Sequence, residues 1–392
     1  MKPPVDTPQA AVRVELIGQQ VAAIDTPALI VDLDAMERNL QRMQAFANQH
    51  GVLLRPHAKM HKSGVLARMQ MAAGAVGVCV QKVSEAQALV AAGVTDIYIS
   101  NQVVSLLKCE RLWHIAKALA AKNGRLAIAV DSLLGIERIA QGMQVHSGLA
   151  IDVFVEIDVG QRRCGVEPGN AAVPLVQAIS KHHSLRFAGL QAYHGRAQHL
   201  RSPSERREAL VEVLTDVQRT KAALEAAGFA VPLVTGGGSG TFIHEASSGV
   251  YGELQTGSYL FMDADYAANE PDAAQPIFEH ALFVKTQVIS LSTTLDDDRA
   301  VVDAGHKSHA IDSGLPILWA GHKADWVFSN GGDEHGILRG KHLPDLGDSV
   351  WLIPGHCDPT VNLHDYLIGV RGGLISGHVE NVIKVDARGA LT

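Results

Sequence analysis

The sequence has few cysteines, no apolar run long enough to span a membrane and no dense cluster of basic residues. Its cysteines are scattered and form no CxxC pair. They are Cys79, Cys109, Cys164 and Cys357. They predict no disulfide framework and favour a reducing cytoplasm. The first residues lack the apolar core and cleavage site of a signal peptide. The formal net charge of -7 supplies no basic field, so neither nucleic acid nor a membrane is an expected partner.

The composition is that of a folded globular protein. Hydrophobic residues make up 47% of the sequence and charged residues 19%, which excludes a largely disordered chain. The length of 392 residues exceeds the size at which a single hydrophobic core usually stops growing. We therefore expect one large domain and one smaller domain.

Short apolar, β-branched runs alternate with longer amphipathic stretches between about residues 50 and 260, as in βα units around a parallel sheet. Helical patterns lie between these runs, for example at 83–92, 106–121 and 204–227. Eight such units close a TIM (β/α)8 barrel, so the predicted fold class is α/β. The predicted strands are 52–57, 76–80, 96–100, 126–130, 151–157, 187–193, 232–235 and 252–256.

One further strand, PALIVDL at 27–33, precedes this series and is one too many for the barrel. A helical pattern at 34–49 follows it. From about residue 275 the helical period gives way to strand-like runs such as ALFVKTQVISL and SVWLIPG. We therefore predict a barrel of residues 34–270 and a mostly β domain of residues 271–392, which the N-terminal residues 1–33 join.

Polar residues follow the predicted barrel strands, and TIM-barrel enzymes build their active sites at the carboxyl ends of these strands. The alternative interpretation is that such residues lie in solvated loops and that Asn101 and Asp131 only cap helices. An active site is favoured because the strand ends combine a lysine, an arginine, a tyrosine and a glycine-rich turn. The residues at the strand ends are His57, Lys59, Gln81, Asn101, Asp131, Arg163, Tyr193 and His194.

The seventh predicted strand runs directly into TGGGSG at 235–240, which precedes an apolar helix. Glycines let the backbone approach an anion closely, and amide groups at the start of the helix can bind it. The turn lacks the lysine of a P-loop and the spacing of a dinucleotide fingerprint, so it predicts a phosphate site without indicating a nucleotide. A tight structural turn is the alternative interpretation.

Lys59 lies just past the first barrel strand, where partial desolvation favours the neutral amine that forms an imine with an aldehyde. Lys62 is the competing residue, and it is expected to open the next helix and to be exposed. Because a lysine at a strand end is usually a surface residue, the choice of Lys59 depends on the phosphate turn and on the motif described next.

A second group of candidate residues follows the strand VWLIPG in the run His356-Cys357-Asp358. In an extended segment, residues i and i+2 point to the same side, so His356 and Asp358 can bind one ion while Cys357 points away. An imidazole with a carboxylate suits Mn²⁺ or Mg²⁺, whereas a thiolate in place of Asp358 would favour zinc. Two protein ligands leave positions for water and substrate. An ordinary turn, capped by His356 and formed by Asp358 before Pro359, is the alternative.

Longer motifs include RPHAKMHKS, QKVSEA, DVGQRRCGV, LQAYHGRAQH, TGGGSG, ELQTGSYLFMDADY, DEHG and PGHCDPTVNLHD. Together they resemble the motifs of the D-threonine aldolases, which are fold-type III, alanine-racemase-like pyridoxal phosphate enzymes. The bacterial β-hydroxyaspartate aldolases share nearly all of them, and the D-serine dehydratases share the general plan. The resemblance spans about residue 25 to the end. It implies a barrel and a β domain that includes the N-terminal strand.

The resemblance also implies roles for individual residues. Lys59 would hold pyridoxal 5'-phosphate as an imine, His199 would act as the catalytic base, and His356 and Asp358 would bind the divalent metal. Dehydratases typically have cysteine where this chain has Asp358, which favours aldol cleavage over loss of water. Arg196 stands where a small residue is common, and it would either meet a second substrate carboxylate or face solvent. The cofactor-binding residues would be Lys59, Gln81, Arg163, Tyr193, Thr235, Gly237, Gly238, Ser239 and Tyr259.

These implications lead to the hypothesis of a homodimeric lyase that cleaves a D-β-hydroxy-α-amino acid, with D-threonine giving glycine and acetaldehyde. The alternatives are cleavage of β-hydroxyaspartate to glycine and glyoxylate, and dehydration of D-serine or 3-hydroxyaspartate. A cofactor carrier without catalytic activity and a metal-dependent barrel hydrolase are rivals from other classes. The β domain and the His-x-Asp pair argue against the carrier.

Overall fold

The computed structural model describes residues 14–144, 148–294 and 297–392. The chain divides into two compact units, here called the β unit and the barrel unit. The β unit comprises the chain up to Leu40, Leu260–Ala267 and Phe278–Arg388, and the barrel unit comprises Gln41–Tyr259, Ala268–Ile277 and Gly389–Thr392. The domain boundaries proposed from the sequence, after residues 33 and 270, stay a prediction. Residues 1–13, part of the N-terminal segment assigned to the β domain, lie outside the described residues.

Eight parallel strands form the barrel, and from the second strand onward each pairs with the next strand along the chain. The last strand, Glu253–Leu254, pairs with the first, Leu53–Leu54. A parallel bridge between His57 and Cys79, with the Cys79 N–H donating to the Pro56 carbonyl at 2.8 Å, joins the first strand to the second. The TIM-type fold class is therefore confirmed. The strands are Leu53–Leu54, Val78–Val80, Asp96–Ile99, Arg125–Val130, Ile151–Glu156, Leu185–Ala192, Val234–Gly236 and Glu253–Leu254.

The helices of the barrel unit lie between these strands. The longest of them begins at a capping motif that is visible in the sequence. Helix Pro203–Ala226 begins after Ser202, whose Oγ accepts from the Glu205 N–H in a capping box. Among the described residues, no helical segment has both the length and the hydropathy of a membrane span. The helices are Gly64–Ala72, Val83–Ala91, Leu106–Ala120, Leu133–Gln144, Val173–Ile179, Pro203–Ala226 and Phe242–Ser247.

The barrel strands are covered on both faces. Strand Ile151–Glu156 is buried along its whole length, as expected for a parallel strand with helices outside and packed side chains inside. The larger core cluster packs strand residues against the helices. A smaller cluster of buried residues joins four neighbouring strands and consists of Cys79, Tyr98, Ala127, Ala129 and Phe154.

The β unit is built on a nine-stranded sheet in the described residues. The extra N-terminal strand, Ala28–Asp32, pairs antiparallel with Leu282–Thr294 and parallel with Tyr366–Arg371. The assignment of this strand to the β domain is therefore confirmed, and the helix Leu33–His50 follows it as predicted. The other strands are Asp297–Val302, Ile317–Leu318, Val327–Asn330, Gly336–Arg339, Ser349–Ile353 and His378–Lys384.

Candidate active site

The segment of residues 57–62, here called the lysine segment, follows the first barrel strand and carries Lys59, whose side chain is half-buried. The Lys59 backbone N–H donates to Nδ1 of His57 at 3.4 Å. Nε2 of His57 lies 2.7 Å from Nε2 of Gln81 and 3.2 Å from Oγ of Ser100. Residues from the ends of three barrel strands therefore meet beside Lys59.

Lys62 is buried, and its ammonium group forms an ion pair with Glu85 at 3.0 Å. The prediction that Lys62 opens a helix and is exposed is therefore wrong. Lys62 has a φ of 51°, and the helix Gly64–Ala72 begins only after this bend. Burial of the ammonium is tolerated because Glu85 neutralises it. An ammonium engaged in a buried ion pair is a poor nucleophile, which argues against Lys62 as the reactive lysine.

The strand Val234–Gly236 runs directly into the glycine turn, residues 236–240. Gly237 has a φ of 73°, a conformation that favours glycine. Within the described residues, the backbone N–H groups of Gly237, Gly238 and Ser239 donate to no protein acceptor. Three adjacent N–H donors of this kind fit a phosphate group. The next helix, Phe242–Ser247, has six residues, so the donors come from the turn.

Residues 256–259 connect the glycine turn to the lysine segment. The Tyr259 N–H donates to Oγ of Ser239 at 3.0 Å, and the His57 N–H donates to the Thr256 carbonyl at 3.0 Å. A Cβ added to Gly257 would lie 3.1 Å from the His57 carbonyl oxygen, so the two segments are closely packed. The structure therefore brings the glycine turn and the lysine segment together at the carboxyl end of the barrel.

Two predicted cofactor-binding side chains have protein partners inside the barrel. Oγ1 of Thr235 donates to Oε1 of Glu253 at 2.8 Å and accepts from Nε2 of Gln255 at 2.7 Å. The Tyr259 hydroxyl accepts from Nε2 of Gln70 at 3.1 Å, and burial raises the pKa of Tyr259. Their contacts with a cofactor stay predictions, because both hydroxyl groups already bond to protein side chains.

Three further predicted residues lie in loops at the same end of the barrel. Arg163 is exposed in the loop after the fifth strand, and Tyr193 is half-buried directly after the sixth strand. His199 is exposed at the end of the 3-10 turn Arg196–His199. All three therefore lie where a TIM-barrel enzyme carries its functional residues.

In the described residues, neither Asn101 nor Asp131 caps a helix with its side chain, so the alternative interpretation of these residues is wrong. Oδ2 of Asp131 accepts from the Gly165 N–H at 3.1 Å and anchors the loop that contains Arg163. Nδ2 of Asn101 donates to the Gln81 carbonyl at 3.0 Å. Both side chains hold strand-end loops in place.

A buried carboxyl group lies behind the glycine turn. Glu245 is 2% exposed, and its Oε1 accepts from Oγ1 of Thr241 at 2.7 Å. A Cβ added to Gly237 would lie 3.2 Å from the carboxyl carbon of Glu245. Burial raises the pKa of Glu245 to about 7. The folded protein therefore keeps this group protonated at pH values where an unfolded chain would ionise it.

We expect Glu245→Gln to stabilise the protein at pH 8 and to change its stability little at pH 5. Between the ordinary pKa of 4.5 and about 7, the unfolded state loses this proton and the folded state retains it. The free energy of unfolding of the wild-type protein therefore falls as the pH rises through this range, by at most about 3 kcal/mol, and it stays lower at higher pH. Calorimetric melting temperatures at both pH values test this. Glu225→Gln, at an exposed glutamate, is the control, and equal shifts of Glu245→Gln at both pH values would contradict the prediction.

The metal motif lies in the β unit, at the start of the short helix Cys357–Val361. The prediction of an extended segment is therefore wrong. His356 is the N-cap residue and Asp358 lies in the first turn, yet Nε2 of His356 is 3.8 Å from Oδ1 of Asp358. The helical turn thus also places the two side chains close together. The turn interpretation is right about the N-cap position, but the His356 side chain makes no capping hydrogen bond.

Two carboxylates that the sequence did not single out adjoin this motif. Oδ2 of Asp312 lies 2.6 Å from Nδ1 of His356, and Oδ2 of Asp263 accepts from the Cys357 N–H at 3.0 Å. Burial alone would lower the pKa of His356, but the carboxylates of Asp358 and Asp312 outweigh it and raise the pKa. An imidazole oriented by one carboxylate and facing another fits a metal-binding pair. No group of three or more His, Cys, Asp or Glu side chains in the described ranges could hold an ion.

Comparisons with known proteins show the family to which the chain belongs. The family model of the alanine racemase N-terminal domain matches residues 31–265, and that of a putative serine dehydratase domain matches residues 281–370. A D-threonine aldolase from Arthrobacter sp is 43% identical over 95% of this chain and 95% of its own length. The chain belongs to the D-threonine aldolase family. A family member from Paracoccus denitrificans, a 3-hydroxy-D-aspartate aldolase, is 41% identical over 95% of each chain.

Structural similarity supports the same family. The crystal structure of D-threonine aldolase from Filomicrobium marinum matches with a TM-score of 0.90 and 46% identity, covering 95% of this chain and 98% of that one. The predicted family is therefore confirmed. The protein is a carbon–carbon lyase and not a cofactor carrier. Pyridoxal phosphate is the cofactor that fits this alanine-racemase-like family.

Proposed function

We propose that the protein cleaves D-β-hydroxy-α-amino acids by a retro-aldol reaction that requires pyridoxal phosphate and a divalent metal. D-threonine would give glycine and acetaldehyde. The proposal depends mainly on one observation. The glycine turn has three N–H groups without protein acceptors, and it lies at the same end of the barrel as the lysine segment. The aldolases among its relatives support the same reaction class.

The barrel residues have complementary tasks in this proposal. Lys59 would hold the cofactor covalently and the glycine turn would bind its phosphate. Arg163 would lie close to its phenolic oxygen, and Tyr193 would lie beside its ring. Bound there, pyridoxal phosphate supplies an electron sink for the electron pair left on Cα when the Cα–Cβ bond breaks. His199 takes the proton of the β-hydroxyl group, and its exposed position lets that proton pass to water.

We assign the divalent metal, Mn²⁺ or Mg²⁺, to His356 and Asp358, with water and substrate completing the coordination. Such an ion supplies a Lewis acid that polarises the β-hydroxyl group. Asp312 orients the imidazole, so that Nε2 of His356 faces Asp358. A cytoplasmic location and a homodimer stay predictions.

The proposal is tested by incubating the purified protein with D-threonine, L-threonine and D-phenylserine, with and without a chelator. We expect glycine from the D-isomers only, and we expect its release to stop after chelation and to return with Mn²⁺. Glycine released equally from both isomers of threonine, or unaffected by chelation, would contradict the proposal. Ammonia and a keto acid in place of glycine would indicate the dehydratase alternative.

D-3-hydroxyaspartate is the second candidate substrate, because Arg196 is exposed in the same turn as His199. The Arg196 N–H donates to Oε1 of Gln161 at 2.7 Å, which fixes the backbone that carries the guanidinium group. A guanidinium group there can pair with a second substrate carboxylate.

We expect Arg196→Ala to lower kcat/KM for D-3-hydroxyaspartate by about tenfold, the loss of one charge-assisted hydrogen bond, and to change kcat/KM for D-threonine by less than about twofold. Steady-state kinetics with both substrates measures this. A parallel decrease for both substrates would show that Arg196 does not recognise the second carboxylate.

A further inference from the structure

A series of buried hydrogen bonds behind the glycine turn has no part in the roles assigned so far. Gln198 is fully buried, and its Oε1 accepts from the Gly240 N–H at 2.9 Å. Its Nε2 donates to Oγ1 of Thr241 at 2.7 Å and to the His194 carbonyl at 3.2 Å. Thr241 in turn donates to Glu245. One glutamine side chain thus links the glycine turn to the neighbouring loop and to a buried carboxyl group.

Gln198 also packs directly against the turn. A Cβ added to Gly238 would lie 2.5 Å from Oε1 of Gln198, and a Cβ added to Gly240 would lie 2.3 Å from the Gln198 carbonyl oxygen. Nδ2 of Asn269 donates to that carbonyl at 2.8 Å, which holds the Gln198 backbone. Two glycines of the turn are therefore needed because Gln198 lies against them.

We propose, on the basis of the pyridoxal phosphate site proposed above, that Gln198 is a positioning residue for the cofactor phosphate. It binds the N–H of Gly240 and supports the turn from behind. The turn is thereby held in the conformation in which the N–H groups of Gly237, Gly238 and Ser239 point to a ligand and not to the protein. Gln198 acts through the turn, and the phosphate contacts belong to the turn.

The chemistry of the side chain explains why a glutamine suits this position. Its amide group offers an acceptor for Gly240 and two donors for Thr241 and His194 at once, which neither a carboxylate nor a hydrocarbon can do. The amide is also neutral, so it adds no charge that would repel a phosphate dianion. A glutamate in its place would add such a charge and lose both donors, and this predicts that Gln198→Glu is more damaging than Gln198→Met.

The test compares two ligands that differ only in the phosphate group, pyridoxal phosphate and pyridoxal. Their dissociation constants are measured with the cofactor-stripped full chain by absorbance titration. We expect Gln198→Met to weaken pyridoxal phosphate binding by about tenfold and Gln198→Glu by about a hundredfold. Pyridoxal binding should change by less than about threefold. Thr241→Val, which removes one link of the series, should show a smaller effect in the same direction.

Gln191→Met is the matched control, because Gln191 is also buried in the barrel but bonds to Tyr98 and Gln255. It should lower the melting temperature without changing the ratio of the two dissociation constants. Equal weakening of both ligands in the Gln198 variants, or no weakening, would overturn the positioning role. If the Gln198 variants do not fold, the ratio of the two dissociation constants is measured in Thr241→Val instead. A ratio equal to that of the wild-type protein would then overturn the positioning role.

The wild-type protein separates this inference from the proposed function. Wild-type protein that binds pyridoxal as tightly as pyridoxal phosphate would overturn the phosphate role of the turn, and with it the role of Gln198. The lyase proposal would then depend on the substrate assay described above. Wild-type protein that binds neither ligand would overturn the proposed function itself. Inorganic phosphate should raise the melting temperature of the cofactor-stripped wild-type protein and not that of Gln198→Glu.

Discussion

Lys59→Ala is expected to abolish the absorption band of bound pyridoxal phosphate and to lower the rate of glycine formation on the order of a thousandfold or more. Lys59 lies in the segment that packs against residues 256–259 beside the glycine turn, and alanine has no amine to bind the aldehyde. An absorption spectrum near the visible edge and a glycine assay with D-threonine measure both effects. Loss of the band also excludes a barrel hydrolase without an organic cofactor.

Lys62→Ala is the matched control for this prediction, three residues away on the same segment. We expect it to keep the absorption band and to lower stability by about 3 kcal/mol, because the buried Glu85 carboxylate loses the ammonium group that neutralises it. Spectra and melting temperatures distinguish the two variants. A band that survives in Lys59→Ala and disappears in Lys62→Ala would reverse the assignment of the reactive lysine.

Asp358→Ala is expected to lower the affinity for Mn²⁺ by about a hundredfold or more, since it removes one of the two proposed protein ligands. Asp312→Asn should lower it by about ten- to a hundredfold, because the carboxylate that orients His356 is lost while both ligands remain. Isothermal titration of the metal-stripped protein with Mn²⁺ measures both affinities.

Asp365→Asn is the control for the metal prediction. Asp365 belongs to the same motif but forms an exposed ion pair with Arg388 at 2.7 Å, so its replacement should leave the Mn²⁺ affinity unchanged. An Asp312→Asn variant with wild-type affinity would show that the hydrogen bond to His356 does not support metal binding. Wild-type affinity in Asp358→Ala would remove the metal site from this motif.

The elements of the fold were predictable where their signals are local. The capping box of Ser202 and Glu205 lies within four residues of sequence, and the predicted helix at 204–227 begins and ends within one residue of Pro203–Ala226. The extra strand Ala28–Asp32 was assigned correctly because a barrel has no place for a ninth strand. The first barrel strand, Leu53–Leu54, is shorter than predicted, although the chain still bonds to the neighbouring strands as far as His57.

The errors and omissions arose where distant residues decide a side chain's environment. Lys62 was expected to be exposed because a lysine is costly to bury, and Glu85, which neutralises it, belongs to the next βα unit. Asp312 is 44 residues from His356, and nothing in its local sequence indicates a role in the metal motif. Gln198 lies within a motif of the family, but its contacts with the glycine turn follow from tertiary packing.

The sequence by itself determined the order of the strands and helices, the family, and the residue types available for catalysis, because periodicity, turn chemistry and motifs are properties of neighbouring residues. Only the tertiary structure decided that Lys62 is buried in an ion pair, which amides of the turn are left to bind an anion, and which carboxylate lies against His356. Hydrogen bonds and ion pairs depend on distances of a few ångströms between segments far apart in the chain, and those distances exist only in the folded molecule.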